Sequence, residues 1–231
     1  MRLSRLPCLA AALVLVAAPA AACRLALALG FDVSRSVDAV DYRVQVDGIV
    51  AALFDSEVRG LLLNGPEPVA MAVFEWAGQR EQLLVADWTL LGSAAAIDAL
   101  AQRVLTHQRR DQGLTAVGSA LTYGRALLAR APGCLWQTLD MAGDGQTNDG
   151  PEPGRVYAGS DFGDITVNGL AIGGHESEVL RWFQRNLLHG PGAFAEFAPT
   201  HDRFAEVFRR KLIRELSHQF IGAGPMPPGP G

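Results

Sequence analysis

The stretch ALALGFDVSRSVD, residues 26–38, begins as an apolar run and ends with oxygen-bearing side chains at every second position: Asp32, Ser34 and Ser36. A run this dense in Ala, Leu and Phe, closed by Gly and Asp, reads as a strand buried on both faces. The polar end has two readings. Serines at the start of a helix commonly cap it. A helical pattern does follow over residues 37–54, with Val40, Val44, Ile49 and Leu53 at roughly helical spacing and Ser36 or Asp38 available as the cap. Three oxygen-bearing side chains at the carboxyl end of a buried strand also describe part of a site for a hard cation.

The rest of the chain repeats the alternation. CLWQTLDMAGD (134–144) and DITVNGLAIGG (164–174) are two more apolar, β-rich runs separated by helical patterns. That is the pattern of a parallel sheet covered on both faces. PVAMAVFEWAG (68–78) and EQLLVADWTLL (81–91) flank Gly78 and read as an antiparallel hairpin at the sheet edge. Helices are expected over 93–107, 115–130, 176–188 and 201–220. The fold class is therefore α/β, a Rossmann-like three-layer sandwich. Its central sheet is mostly parallel with one antiparallel edge strand, and helices cover both faces.

In such a sheet, ligands bind at the carboxyl ends of the strands. Asp144 ends another strand, in MAGDGQTNDG, and Thr115 opens a helix after RRDQGL. Two carboxylates and three hydroxyls thus reach one face from three loops, with no His or Cys among them. An all-oxygen set completed by water suits Mg2+ first, with Mn2+ or Ca2+ as alternatives. Taken alone, Thr115 would be a helix cap and Asp144 a turn residue; it is the set that points to metal. Asn148 and Asp149 read as turn residues. Glu75 and Trp76 end a strand on the same face, either as a rim for a partner or as a solvated edge and a packed ring. The histidines are scattered, with no metal-pair spacing.

DVSRS, Thr115 and GDG together resemble the metal-ion-dependent adhesion site (MIDAS) of von Willebrand factor type A (VWA) domains. GFDVSRSVD, VFEWAG, GLTAVGSAL, GDGQTNDG, ITVNGLAI, GPGAF and RRKLIREL resemble a bacterial exported family of such domains, DUF1194. The resemblance implies that Ser34, Ser36 and Thr115 approach the cation directly, and Asp32 and Asp144 directly or through water. One coordination position would stay open for an acidic side chain of a partner protein. It also implies that the first strand and the one ending at Asp144 are parallel neighbours. Cys23 lies nine residues before Asp32 and Cys134 ten before Asp144, so the two would meet at the far end of the sheet as a disulfide. AGSDFGD (158–164) stands where the family has a longer helix, so that connection is expected to be short or irregular.

The bulk properties set the frame. A chain of 231 residues, 49% hydrophobic, supports one core and one domain. A net charge of -4 and a pI near 5.7 speak against a nucleic-acid partner. Residues 1–22 have the layout of a secretory signal, with Arg2 and Arg5, an apolar run too short to span a bilayer, then small residues. The expected organisation is a signal over 1–22, the VWA-like domain over 23–220 and a disordered Gly/Pro-rich tail over 221–231. The protein is expected to be periplasmic or secreted, without a membrane span. A lipid anchor on Cys23 is the alternative, although AAAC lacks the usual bulky residue three places before the cysteine. Catalysis is not expected. A phosphatase using Asp32 as nucleophile would want a second Asp where Ser34 stands. The Gly-x-Ser-x-Gly elbow, the phosphate-binding loop and the dinucleotide glycine pattern are all missing. The function expected is a cation-dependent protein-binding module. The alternatives are an Mg2+-dependent hydrolase and a structural domain whose metal site engages no partner.

Overall fold

A computed structural model describes residues 23–110, 113–173 and 178–221. The expected signal over 1–22, the start of the helix expected at 176 and the tail beyond 221 lie outside the described residues. The chain order is β1 (Cys23–Asp32), α1 (Ala39–Phe54), α2 (Ser56–Leu63), β2 (Val69–Trp76), β3 (Gln82–Leu90), α3 (Ala94–Thr106) and α4 (Val117–Leu128). There follow β4 (Cys134–Gly143), α5 (Pro153–Gly159), β5 (Thr166–Ile172), α6 (Glu178–Trp182) running into a π-helical turn (Phe183–Leu187), β6 (Ala195–Ala198) and α7 (Phe204–Ile221).

Alternation of side-chain size along β1 builds the two cores. Leu25, Leu27, Leu29 and Phe31 enter one core, with α1, α3 and α7. Ala26 and Ala28 enter the other, where Phe74, Trp76, Leu139 and Met141 fill the space the small residues leave. Gly30 continues the small series of necessity, since a Cβ there would lie 2.5 Å from the Phe74 ring. β1 is thus buried along its whole length, and it sits inside a six-stranded sheet of order β3-β2-β1-β4-β5-β6. Only β3 runs antiparallel, at the edge, as the sequence implies. The parallel register pairs Asp32 with Trp76 and Phe31 with Ala142, so the strand ends that carry the candidate residues finish level. No helix among the described residues is long and apolar enough to cross a membrane.

Several expectations change. The helix expected over 37–54 begins at Ala39, because Asp38 caps it by accepting from the amides of Val40 and Asp41 at 2.7 and 2.9 Å. Its buried stripe runs through Val46, Ile49, Ala52 and Leu53, leaving Val40 70% exposed rather than in the core. A second helix, α2, follows at once because Asp55 caps it in the same way. α4 starts at Val117 rather than Thr115. α7 is preceded by a 3-10 turn (His201–Arg203) and runs one residue past the expected end of the domain. β6 was not expected, as four residues of mixed polarity carry no periodicity to detect. The short α5 is consistent with the short connection expected after it.

At the far end of the sheet Cys23 and Cys134 are register partners joined by a disulfide, with Cα atoms 4.4 Å apart. Closing a loop of about 110 residues is worth roughly 4–5 kcal/mol in the chain-entropy account. A thioether lipid anchor would need the same Cys23 sulfur, so bridge and anchor exclude one another.

The only lysine, Lys211 on α7, is fully buried between Asp140 of β4 and Glu215. Burial, then the Glu215 charge, push Asp140 up to about 7. Burial lowers Lys211, but the two carboxylates outweigh it and leave it raised overall. Lys211→Met would leave two buried carboxylates facing each other, a loss of about 3–5 kcal/mol. Asp140 would then stand further above its unfolded value, so the loss is full at pH 8 and shrinks towards pH 4 as Asp140 takes up its proton. Denaturant unfolding of variant and parent at the two pH values checks this, and an equal loss at both would contradict it.

Candidate metal site

The loop between β1 and α1 brings the Ser34 and Ser36 side chains together, Ser34 buried and Ser36 exposed. Asp32, the last residue of β1, accepts from the Ser34 amide on Oδ1 at 2.8 Å. The Ser34 and Ser36 hydroxyls lie 3.1 Å apart, and Ser36 Oγ donates to Asp144 Oδ1 at 2.7 Å. Thr115 Oγ1 donates to Ser34 Oγ at 3.3 Å. All five residues expected at the site therefore meet in one hydrogen-bonded cluster drawn from three loops. Capping does not account for the hydroxyls: Asp38 caps α1, and Ala116 occupies the N-cap position of α4 without a side-chain bond.

The electrostatics leave Asp32 short of partners. It is fully buried, and its Oδ2 accepts no hydrogen bond. Burial first, and then the nearby Asp144 carboxylate, push it up to about 7. Hydrogen bonds from Ser34 and the Asp144 amide pull the other way without outweighing burial. Gly143, the last residue of β4, permits the close packing here, since a Cβ on it would stand 3.2 Å from Asp32 Oδ2. A buried carboxylate in one cluster with three hydroxyls and a second carboxylate fits a hard divalent cation by donor chemistry. No group of three or more His, Cys, Asp or Glu gathers among the described residues. Hydroxyls supply the rest of this donor set.

The three loops are cross-braced. Val33 N donates to Trp76 O at 2.9 Å, Arg35 N to Gly113 O at 3.0 Å and Ala116 N to Ala77 O at 2.8 Å. Asn148 does more than shape a turn. Its Oδ1 accepts from Thr115 N at 2.8 Å, while Thr115 O accepts from Asn148 N at 2.9 Å. Asp149 holds both the amide and the side chain of Gln79. Glu75 and Trp76 do not form a rim, because both are buried. Glu75 accepts from Tyr42 Oη at 2.6 Å and lies 3.1 Å from His107 Nε2, beneath the loops.

Arg109 is the residue that sequence reasoning passed over. Its Nη2 donates to the carbonyls of Val33, Ser34 and Val37 at 2.7, 3.1 and 2.7 Å, and its Nη1 to that of Asp38 at 3.1 Å. The guanidinium stands 5.3 Å from the Tyr42 ring centroid. One planar fork thus gathers the whole turn that carries Ser34 and Ser36. In THQRRDQGL nothing distinguishes Arg109 from its neighbour Arg110, so only the folded loop reveals it.

The family model described as protein of unknown function (DUF1194) matches residues 22–220. No curated protein matches. Among solved structures, the von Willebrand factor type A protein from Catenulispora acidiphila is similar at 17% identity and a TM-score of 0.62, over 84% of this chain and 43% of that one. Proximal thread matrix protein 1 from the mussel byssus, solved with a zinc-occupied MIDAS motif, is similar at 15% identity and 0.61, over 84% and 46%. The pilus adhesin SpaC from Lactobacillus rhamnosus GG is similar at 14% and 0.58, over 84% and 30%. The chain spans less than half the length of each. It belongs to the DUF1194 family, and its fold is that of a von Willebrand factor type A domain.

Proposed function

We propose that Asp32, Ser34, Ser36, Thr115 and Asp144 hold a divalent cation, Mg2+ in the first place, and that the cation binds a carboxylate of a partner protein. The observation that carries this is the fully buried Asp32, whose Oδ2 has no donor, in one hydrogen-bonded cluster with three hydroxyls and a second carboxylate. Hydroxyl ligands carry no charge, so a cation held by three of them stays electrophilic enough to attract an external carboxylate. The zinc-occupied MIDAS motif of the byssus protein and the adhesin among the structural neighbours support an adhesion-type role. The disulfide supports a place outside the cytoplasm, periplasmic or secreted. We read the site as binding rather than catalytic, since the fully buried Asp32 offers no path for nucleophilic attack.

Thermal unfolding in EDTA, and then with Mg2+, Mn2+ or Ca2+, tests the reading. At a hundredfold the dissociation constant, about 2.7 kcal/mol of stabilisation is expected, or a rise of roughly 5–10 °C in Tm for a chain this size. Asp32→Ala abolishes it. No shift with any cation would reduce DVSRS to a hydrogen-bonded polar turn.

Asp32 also makes the metal-free protein pH-sensitive. Its folded pKa of about 7 stands above its unfolded value, so the folded state loses stability as pH rises from about 4 to about 7. Asp32→Asn keeps the acceptor for Ser34 N and removes that contribution. In EDTA at pH 8 the variant is expected to melt above the parent, and to gain nothing from Mg2+. A variant that melts lower at pH 8 would contradict the burial argument.

Arg109→Met is expected to weaken cation binding about 10–100-fold, the range for groups that orient metal ligands. Arg109→Lys should recover little of it, because a single ammonium cannot span four carbonyls. Cation titration followed by Tm measures both, and unchanged affinity in Arg109→Met would remove Arg109 from the site.

A further inference from the structure

The end of the sheet opposite Asp32 carries chemistry that the cation site does not use. β4 begins before β5 reaches it. The first β4–β5 pair is Thr138 with Thr166, whereas on its other side β4 is already paired with β1 at Cys23. Residues 134–137 therefore present one edge with no strand partner among the described residues. Such an edge is a template for an added strand. Leu135 and Trp136 stand here 62% and 48% exposed, and as successive strand residues they point to opposite faces.

A cleft of about 700 Å³ lies against this edge, walled on the other side by residues 161–166. Through Trp136 and Asp164 it shares walls with a second cavity of about 200 Å³ that reaches Asn168, Phe194 and Glu215. Asp161, Asp164 and Glu215 line them, and among the described residues no Lys, Arg or His does, although Lys211 and Arg214 stand behind Phe194. Glu215 Oε1 accepts from Lys211 and Asn168 at 2.8 and 2.6 Å, so its charge is answered from within, whereas Asp161 and Asp164 are exposed at the cleft. The lining is thus apolar and acidic together.

We propose that this end of the sheet is a second binding surface, which takes an extended segment of a partner protein carrying a lysine or arginine. The segment pairs with the free edge at residues 134–137 and packs alternate side chains on Trp136 and Leu135. Its basic side chain turns towards Asp161 and Asp164. Main-chain pairing supplies affinity and the alternating side chains supply selectivity, as in other cases of strand addition. A strand-forming apolar peptide without charge would leave the carboxylates unanswered, and an acidic one would be repelled.

Fluorescence anisotropy on the disulfide-intact protein tests this with three labelled hexapeptides. One is Thr-Val-Lys-Val-Lys-Val, one has Glu for both lysines, and one has proline for the central valine. The lysine peptide is expected to bind saturably, and the other two at least about tenfold more weakly, since one loses the charge match and the other the edge hydrogen bonds. Trp136→Ser should weaken binding about tenfold and Asp164→Asn up to about fivefold, the second without risk to the fold. Hydrogen exchange at the amides of residues 134–137 should slow on binding. EDTA and Asp32→Ala should change nothing, which separates this surface from the cation site. The proposal is overturned by any of four results: no saturable binding, equal binding of the proline peptide, loss of binding in EDTA, or binding seen only after residues 222–231 are removed. The last would make the chain's own end the occupant.

Discussion

The structure above the sheet depends on the burial of one carboxylate. Asp32 ends a strand with no exposed residue, and it enters the loop region already cut off from water. A charge in that position is costly unless something answers it. The surrounding design addresses Oδ1 with a backbone amide and leaves Oδ2 without a donor. Ser34, Ser36, Thr115 and Asp144 close around it, yet they bring hydroxyls and a further negative charge rather than a cation. No basic side chain is among the groups that shift Asp32.

The same sheet holds a second buried acidic group, and the contrast is instructive. Asp140 and Glu215 lie on the α7 side, where the chain supplies its own cation in Lys211. That cluster is closed by covalently attached charge and needs nothing from outside. Near Asp32 the available guanidinium, Arg109, turns instead to four backbone carbonyls and fixes the shape of the loop. One acidic cluster is neutralised from within. The other is shaped by the loop but holds no basic side chain of its own.

Much of this was legible in the sequence because the governing constraints are local. The apolar run over residues 26–32 marks a strand buried on both faces, and the strand–helix alternation encodes the parallel sheet. The five site residues could be picked out because each stands at a strand end or loop that the pattern itself locates. What stayed hidden depends on three-dimensional placement. Val40 has the right spacing for the core, but the Asp38 cap sets the helix phase and turns it outward. Glu75 and Trp76 stand at a strand end like Asp32, and nothing in VFEWAG tells that Tyr42 of α1 and His107 after α3 cover Glu75 while Trp76 joins the opposite core. Arg109 contacts the site only because its loop returns across the turn at residues 33–38. No local pattern records that return.

The central claim is that these five side chains hold a cation. A crystal soaked in Mn2+ and measured at the manganese absorption edge tests it most directly. The account predicts one strong anomalous peak enclosed by the Ser34, Ser36 and Thr115 hydroxyls, beside Asp32 and Asp144, and its loss in Asp32→Ala. A peak at another acidic group, such as Asp161 and Asp164, with none at Asp32, would contradict it.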